Sequence, residues 1–166
     1  AFKATAGLSE KYPGRVRNMP ISEAAIVGVG NGLALGGYRP YAEIMFGDFL
    51  TLALDQWLNH AAKFAGMYRQ QVQVPLVVRT PMGGHRGYGP THSQSLERLF
   101  VGAPGTRVLA LHHRMSPAAL YDALRQAPPL PTLVVENKLL YSAMAGIAPP
   151  PGFQILTDVA PFPTMR

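Results

Sequence analysis

Cysteine is absent from the 166 residues, which removes disulfides and thiolate metal ligation from consideration. Charge is scarce as well: Asp, Glu, Lys and Arg make up 14% of the chain against 48% hydrophobic residues. So little charge, with 17 Gly and 16 Pro, points to many tight turns or to surface buried against something else. No apolar run reaches the ~18 residues that cross a bilayer, and none has the form of a secretory signal. Acidic residues are the rarest charged class, 9 against 15 basic ones, giving a net charge of +6. That excess is scattered over Lys11, Arg15, Arg17, Arg39, Lys63, Arg69, Arg79 and Arg86 without a basic run. A generally basic surface, facing solvent or an acidic partner subunit, is therefore a better reading than nucleic-acid binding.

The length suffices for one domain with a sizeable core. After a polar, aperiodic stretch over residues 1–19, Pro20 and Ser22 mark a helix start, and Ala24–Leu35 is rich in small apolar residues up to Gly36-Gly37. Glycines at 28, 30 and 32 each cost such a helix about 1 kcal/mol relative to Ala, so close approach of a neighbour or ligand is expected there. Arg39–Phe46 reads as a strand and Phe49–Phe64 as a helix carrying the sole tryptophan, Trp57. Val72–Arg79 is a continuous apolar strand, the pattern of a sheet covered on both faces. A long Gly-rich loop, Thr80–Thr91, precedes a helical segment over Ser93–Phe100. Then come a strand over Arg107–His112, a helix over Pro117–Gln126 and a strand over Leu133–Glu136. This alternation predicts an α/β fold with a mainly parallel sheet between helix layers. Residues 1–147 form the expected domain, and 148–166, with APPP and PFP, an extended tail or linker.

Three places carry candidate chemistry. Glu23 is the sole acidic residue between Glu10 and Glu43 and opens the small-residue helix. Such a carboxylate is often a simple dipole contact, but apolar walls suit a proton-handling group whose affinity for its proton burial raises. Met45, Phe46 and Phe49 bracket the loop after the first strand and would ordinarily be core residues. His92, in THSQS, would ordinarily cap a helix or face solvent. Two other features are set aside. GVGNG at 28–32 breaks the G-x-G-x-x-G spacing at Leu33 and lies inside a helix. His112-His113 has no third ligand at metal spacing, so no protein metal site is expected.

PISE, the run from GDF to DQ, RTPMGG, THSQS and ENKLLY together span most of the chain, from about Phe2 to Tyr141. As a set they resemble the transketolase-like pyrimidine-binding domain in the beta subunit of thiamine-diphosphate-dependent 2-oxoacid dehydrogenases. The resemblance implies that Glu23 hydrogen-bonds N1′ of the cofactor's aminopyrimidine and drives the ring to the imino form that deprotonates the thiazolium. It implies that Phe49 packs on the pyrimidine face, that Met45 lines the same pocket, and that His92 serves the substrate side in proton transfer or acylation of a lipoyl group. The Asp55-Gln56 pair reads as structural, and His85 or Arg86 as a group to meet a substrate carboxylate.

The reaction so implied is oxidative decarboxylation of a 2-oxo acid with acyl transfer to lipoamide, in a cytoplasmic hetero-oligomer. An alpha-type partner chain would hold Mg²⁺ and the cofactor's diphosphate, and a lipoyl acyltransferase would be a further partner. The family's opening segment, its C-terminal domain and its G-D-G…N motif are not found in these residues. LRQAPPLPT, at 124–132, also lacks the acidic residue that accompanies the family's monovalent cation. A split transketolase-like enzyme acting on sugars, or a non-catalytic interaction module, are the alternatives.

Overall fold

The computed structural model describes residues 3–143, 148, 149, 151–156 and 164–165. Four parallel strands, β1 (Tyr41–Glu43), β2 (Val77–Met82), β3 (Arg107–Ala110) and β4 (Thr132–Asn137), form one sheet in the order β1-β2-β4-β3. Register runs Tyr41↔Val77 between β1 and β2, Val77↔Thr132 between β2 and β4, and Arg107↔Thr132 between β3 and β4. The expected α/β architecture is present. The connections are long crossovers, as parallel strands require, with an α-helix over Pro117–Gln126 between β3 and β4.

Helix α2 (Glu23–Leu35), preceded by the single turn α1 (Leu8–Lys11), begins where Ser22 accepts a hydrogen bond from the Ala25 amide at 3.4 Å. Its glycines answer to close packing. A Cβ on Gly30 would sit 2.8 Å from Leu76 Cδ1, so the helix lies hard on the sheet layer. Asn31, buried in mid-helix, donates from Nδ2 to the Gln56 carbonyl at 2.8 Å, which gives the Asp55-Gln56 pair a seating role.

The segment expected as one helix over Phe49–Phe64 is broken into a 3₁₀ stretch (Gly47–Ala53), a π-helical stretch (Gln56–Ala61) and the short α3 (Phe64–Met67). The Asn31 bond takes up the Gln56 carbonyl where the coil widens, a recognised cause of such distortion. At the first residue of the 3₁₀ stretch a Cβ on Gly47 would lie 2.3 Å from Met82 Cγ, and Met82 is itself buried. Gly47→Ala is therefore expected to destabilise the chain by roughly 1–3 kcal/mol through overpacking. A urea titration of the variant beside the parent measures that loss.

Side-chain alternation sets the two faces. Val78, Leu133 and Val135 pack with Val27, Leu50, Trp57 and Phe100 under α2 and the 47–67 segment. Val77 and Val134 pack under α4 (Pro117–Gln126), against Leu120 and Leu124. Pro81 sits inside a central strand without penalty. Residues 77 and 79 bond towards β1, through Val77 N–H to the Pro40 carbonyl and the Ile44 N–H to the Arg79 carbonyl, so Pro81 faces that side after β1 has ended.

The helix expected over Ser93–Phe100 is replaced by 3₁₀ turns at Pro90–His92 and Glu97–Leu99. β2 begins at Val77 rather than Val72 and runs on to Met82. In the expected tail, β5 (Ile155–Leu156) and β6 (Thr164–Met165) pair antiparallel; residues 150, 157–163 and 166, and the expected boundary after 147, lie outside the described residues. Among the described residues no helix is long and apolar enough to cross a membrane.

Candidate functional site

Parallel strands deliver the residues that follow them to one edge, the edge where open α/β sheets bind ligands. Phe46 and Phe49 follow β1, the Gly83–Gln94 loop follows β2, and Lys138 follows β4. These segments meet. The His92 ring stands edge-to-face to Phe46 and Phe49, with centroids 4.9 and 5.0 Å apart, and Tyr88 closes on Phe46 at 5.7 Å. His92 Nδ1 lies 2.9 Å from the Thr91 hydroxyl.

Phe49, expected on the pyrimidine face, and His92, expected on the substrate side, are thus in direct contact. Glu23 is the first residue of α2, the helix that packs on the 47–53 stretch. Its side chain is half-buried rather than walled in, and among the described residues it has no hydrogen-bond or ionic partner. Met45 is 55% exposed, so in this chain alone it lies on an open surface.

The Gly-rich loop is tied down at both ends. The Gly83 amide donates to the Gln94 carbonyl at 3.1 Å, and Arg86 donates to the Lys138 carbonyl at the same distance. Arg86 is thereby turned towards the protein, and His85 is exposed with φ at 63°. Gln94 also uses its amide N–H and its Nε2, both donating to Asp48 Oδ1 at 3.1 and 3.0 Å. Of these bonds, the one from the Gly83 amide takes up the Gln94 carbonyl, an acceptor that a helix over Ser93–Phe100 would need in its first turn.

Two buried groups escaped the sequence reading. Asp48, within GDF, and Lys138, within ENKLLY, face each other with Nζ 3.8 Å from Oδ2, and Lys138 is 0% exposed. A charged residue following an apolar strand and flanked by Leu139 was the available signal. Burial holds the Lys138 ammonium below the usual lysine range, and Asp48 partly opposes that shift.

A second polar cluster lies on the α4 face. Arg79 pairs with Glu43 at 2.7 Å and grips Glu136 with two bonds, at 2.6 and 3.2 Å. Tyr121 donates to Glu136 at 2.6 Å, Tyr141 donates to it as well, and Arg79 reaches the Tyr141 oxygen at 3.0 Å. Burial alone would raise the Glu136 pKa, but bonds from Arg79, Tyr121 and Tyr141 bring it below the usual carboxylate range. Both tyrosines are pushed upward, by burial first and by Glu136 next. A cavity of ≈ 490 Å³ opens beside this cluster, with Leu111, Met115 and Leu140 among its lining residues. His112 also lines it and titrates below the usual histidine range, through burial and then through His113 and Arg114.

Residues 1–144 match the family described as "Transketolase, pyrimidine binding domain". The chain belongs to that family. This pyrimidine-binding domain is 40% identical over 142 residues to the Arabidopsis thaliana pyruvate dehydrogenase E1 component subunit beta-1, mitochondrial, covering 85% of the chain and 39% of that protein. It is 39% identical over 154 residues to the 2-oxoisovalerate dehydrogenase subunit beta of Bacillus subtilis (strain 168), covering 89% of the chain and 45% of the relative. The chain thus spans less than half the length of these relatives. Among solved structures, the domain superposes with a TM-score of 0.60 at 21% identity on "Split gene transketolase, inactive beta4 tetramer", covering 83% of the chain and 42% of the other. At that identity the likeness is one of fold.

Proposed function

We propose that the chain supplies the aminopyrimidine-binding half of a thiamine-diphosphate-dependent 2-oxoacid dehydrogenase, as or within its beta-type subunit. The observation that carries this reading is the Phe49–His92 ring contact at the carboxyl edge of the sheet, next to the helix whose Glu23 carboxylate has no partner among the described residues. The residues fit the group. A planar heteroaromatic needs an apolar ring to stack on and a carboxylate to share a proton with a ring nitrogen, and Phe49 and Glu23 have those chemistries.

Bound there, thiamine diphosphate supplies the carbon nucleophile that lets a 2-oxo acid lose CO₂. Glu23 holds the proton opposite the pyrimidine nitrogen. Phe49 orients the ring with its flat face, and Met45, exposed in this chain alone, is covered when the site is complete. His92 moves a proton on the substrate side, for which an imidazole is suited near neutral pH. The Mg²⁺-diphosphate end belongs to an alpha-type partner chain, and a lipoyl acyltransferase receives the acyl group. Both curated relatives described above carry 2-oxoacid dehydrogenase names, which favours this chemistry over sugar transfer.

The test is native mass spectrometry of the complex isolated through this chain, followed by a decarboxylation assay. A larger chain retained together with Mg²⁺-thiamine diphosphate supports the reading, whereas a homo-oligomer without cofactor favours a non-catalytic interaction module. In the active complex, His92→Ala is expected to slow acylation of the lipoyl group by about 10²–10⁴-fold while the cofactor stays bound. Stopped-flow measurement of that step decides it. Loss of assembly instead would assign His92 to structure.

A further inference from the structure

The mechanism leaves Lys138 unused, although it is a wholly buried ammonium a few ångströms from the site. Its one hydrogen bond among the described residues goes to the backbone carbonyl of His92. Asp48 is too far for a hydrogen bond, at 3.8 Å, and Asp48 Oδ2 has no hydrogen-bond donor among the described residues. The ammonium also lies over two rings of the cluster, 5.0 Å from the Phe46 centroid and 5.9 Å from that of Tyr88. It therefore touches all three segments that build the site wall: the turn after β1, the Gly-rich loop and the His92 turn.

We propose that Lys138 is a positioning residue for His92, an interior ammonium that pins the Thr91–Ser93 backbone against the Phe46–Phe49 wall, with Asp48 as its counter-charge. The catalytic consequence rests on the functional reading above; the positioning does not. An interior lysine is a costly device. Were stability alone at issue, an apolar side chain of the same length would serve better, because burying an ion pair often costs more than its attraction returns. What an apolar side chain cannot do is donate to a backbone carbonyl. The turn needs such an anchor. The His92 amide bonds to the Gly89 carbonyl at a long 3.4 Å, and the residues before it include Gly87 and Gly89, both at positive φ. Gln94 is fixed separately by Asp48 Oδ1, so without Lys138 the chain is held at 94 and loose at 91–93.

Charge neutralisation separates positioning from plain stability. Lys138→Met keeps length and ring contact but leaves Asp48 as an unpaired buried charge. Asp48→Asn keeps an oxygen to accept from Gln94 and leaves the ammonium unpaired. Each single variant is expected to lower the melting temperature by roughly 6–20 °C. The double variant, with no unpaired charge, is expected to recover most of that loss.

Hydrogen exchange on the full chain then reads the loop. In the double variant the His92 amide, bonded in the parent to the Gly89 carbonyl, is expected to exchange at least tenfold faster, while the Gln94 amide keeps its protection. In the two-chain enzyme the same variant is expected to lose about 10²-fold in kcat for lipoyl acylation, with KM for the 2-oxo acid little changed. Parental exchange at His92 in the double variant would overturn the proposal and leave the pair as a stability element. Fast exchange at His92 in a chain whose parent complex has no 2-oxo acid activity would support the positioning role and overturn the functional reading.

Discussion

Glu23→Ala in the assembled two-chain enzyme is expected to lower turnover by about 10²–10⁴-fold, with folding almost untouched. The two effects separate because of where the carboxylate stands. At the first residue of α2 it makes no bond to the rest of the described protein, and the Ser22 cap carries the helix start. Its loss then costs the fold only a dipole contact, ~0.3–1 kcal/mol. Glu23→Gln sharpens the test, since the amide keeps the shape and can hydrogen-bond a ring nitrogen but cannot exchange a proton with it. Both variants are expected to retain the partner chain and to fail equally in decarboxylation, read as CO₂ release under saturating cofactor. Parental turnover in either one would sink the assigned role.

Arg79→Met is expected to cost about 3–5 kcal/mol of stability, the penalty of stranding Glu136 as a buried charge, and Glu43 as a half-buried one, without their cation. Thermal or urea unfolding measures it, and adding Glu136→Gln is expected to return part of the loss. The cluster also predicts a pH profile. Glu136 titrates below its ordinary 4.5 in the folded state, so its contribution is complete above 4.5 and falls away as pH drops through the folded value. Tyr121 and Tyr141 are raised from 10.0, so their contribution holds below 10.0 and declines as pH climbs beyond it. The parent should therefore lose stability at both extremes more steeply than the Arg79→Met, Glu136→Gln double variant. Parallel profiles would mean that the cluster does not set the pH response.

Local chemistry made much of the fold legible in the sequence. Ser22 and Pro117 opened the helices expected at α2 and α4, because capping and a fixed φ act within one turn. The apolar runs around Val78 and Leu133 gave the sheet because both faces are covered. Departures arose where a backbone group bonds to a residue distant in sequence. The Gln56 carbonyl goes to Asn31 and the Gln94 carbonyl to the Gly83 amide, and neither exchange is visible in a periodicity. The site divides the same way. Glu23, Phe49 and His92 stood in recognisable motifs. Lys138 and Asp48 are 90 residues apart and gain meaning only through the strand order that brings them together.

Trp57 is wholly buried beside Phe100, on the α2 side of the sheet and outside the ring cluster at the site. Its indole is the chain's single tryptophan emitter, and no thiol is present to quench it or to compete for a label. Fluorescence at the red edge of excitation therefore follows the interior of this subunit and is insulated from events at the carboxyl edge. One cysteine introduced near Thr91 would give the site a colour of its own. Interior and site can then be watched separately in one sample.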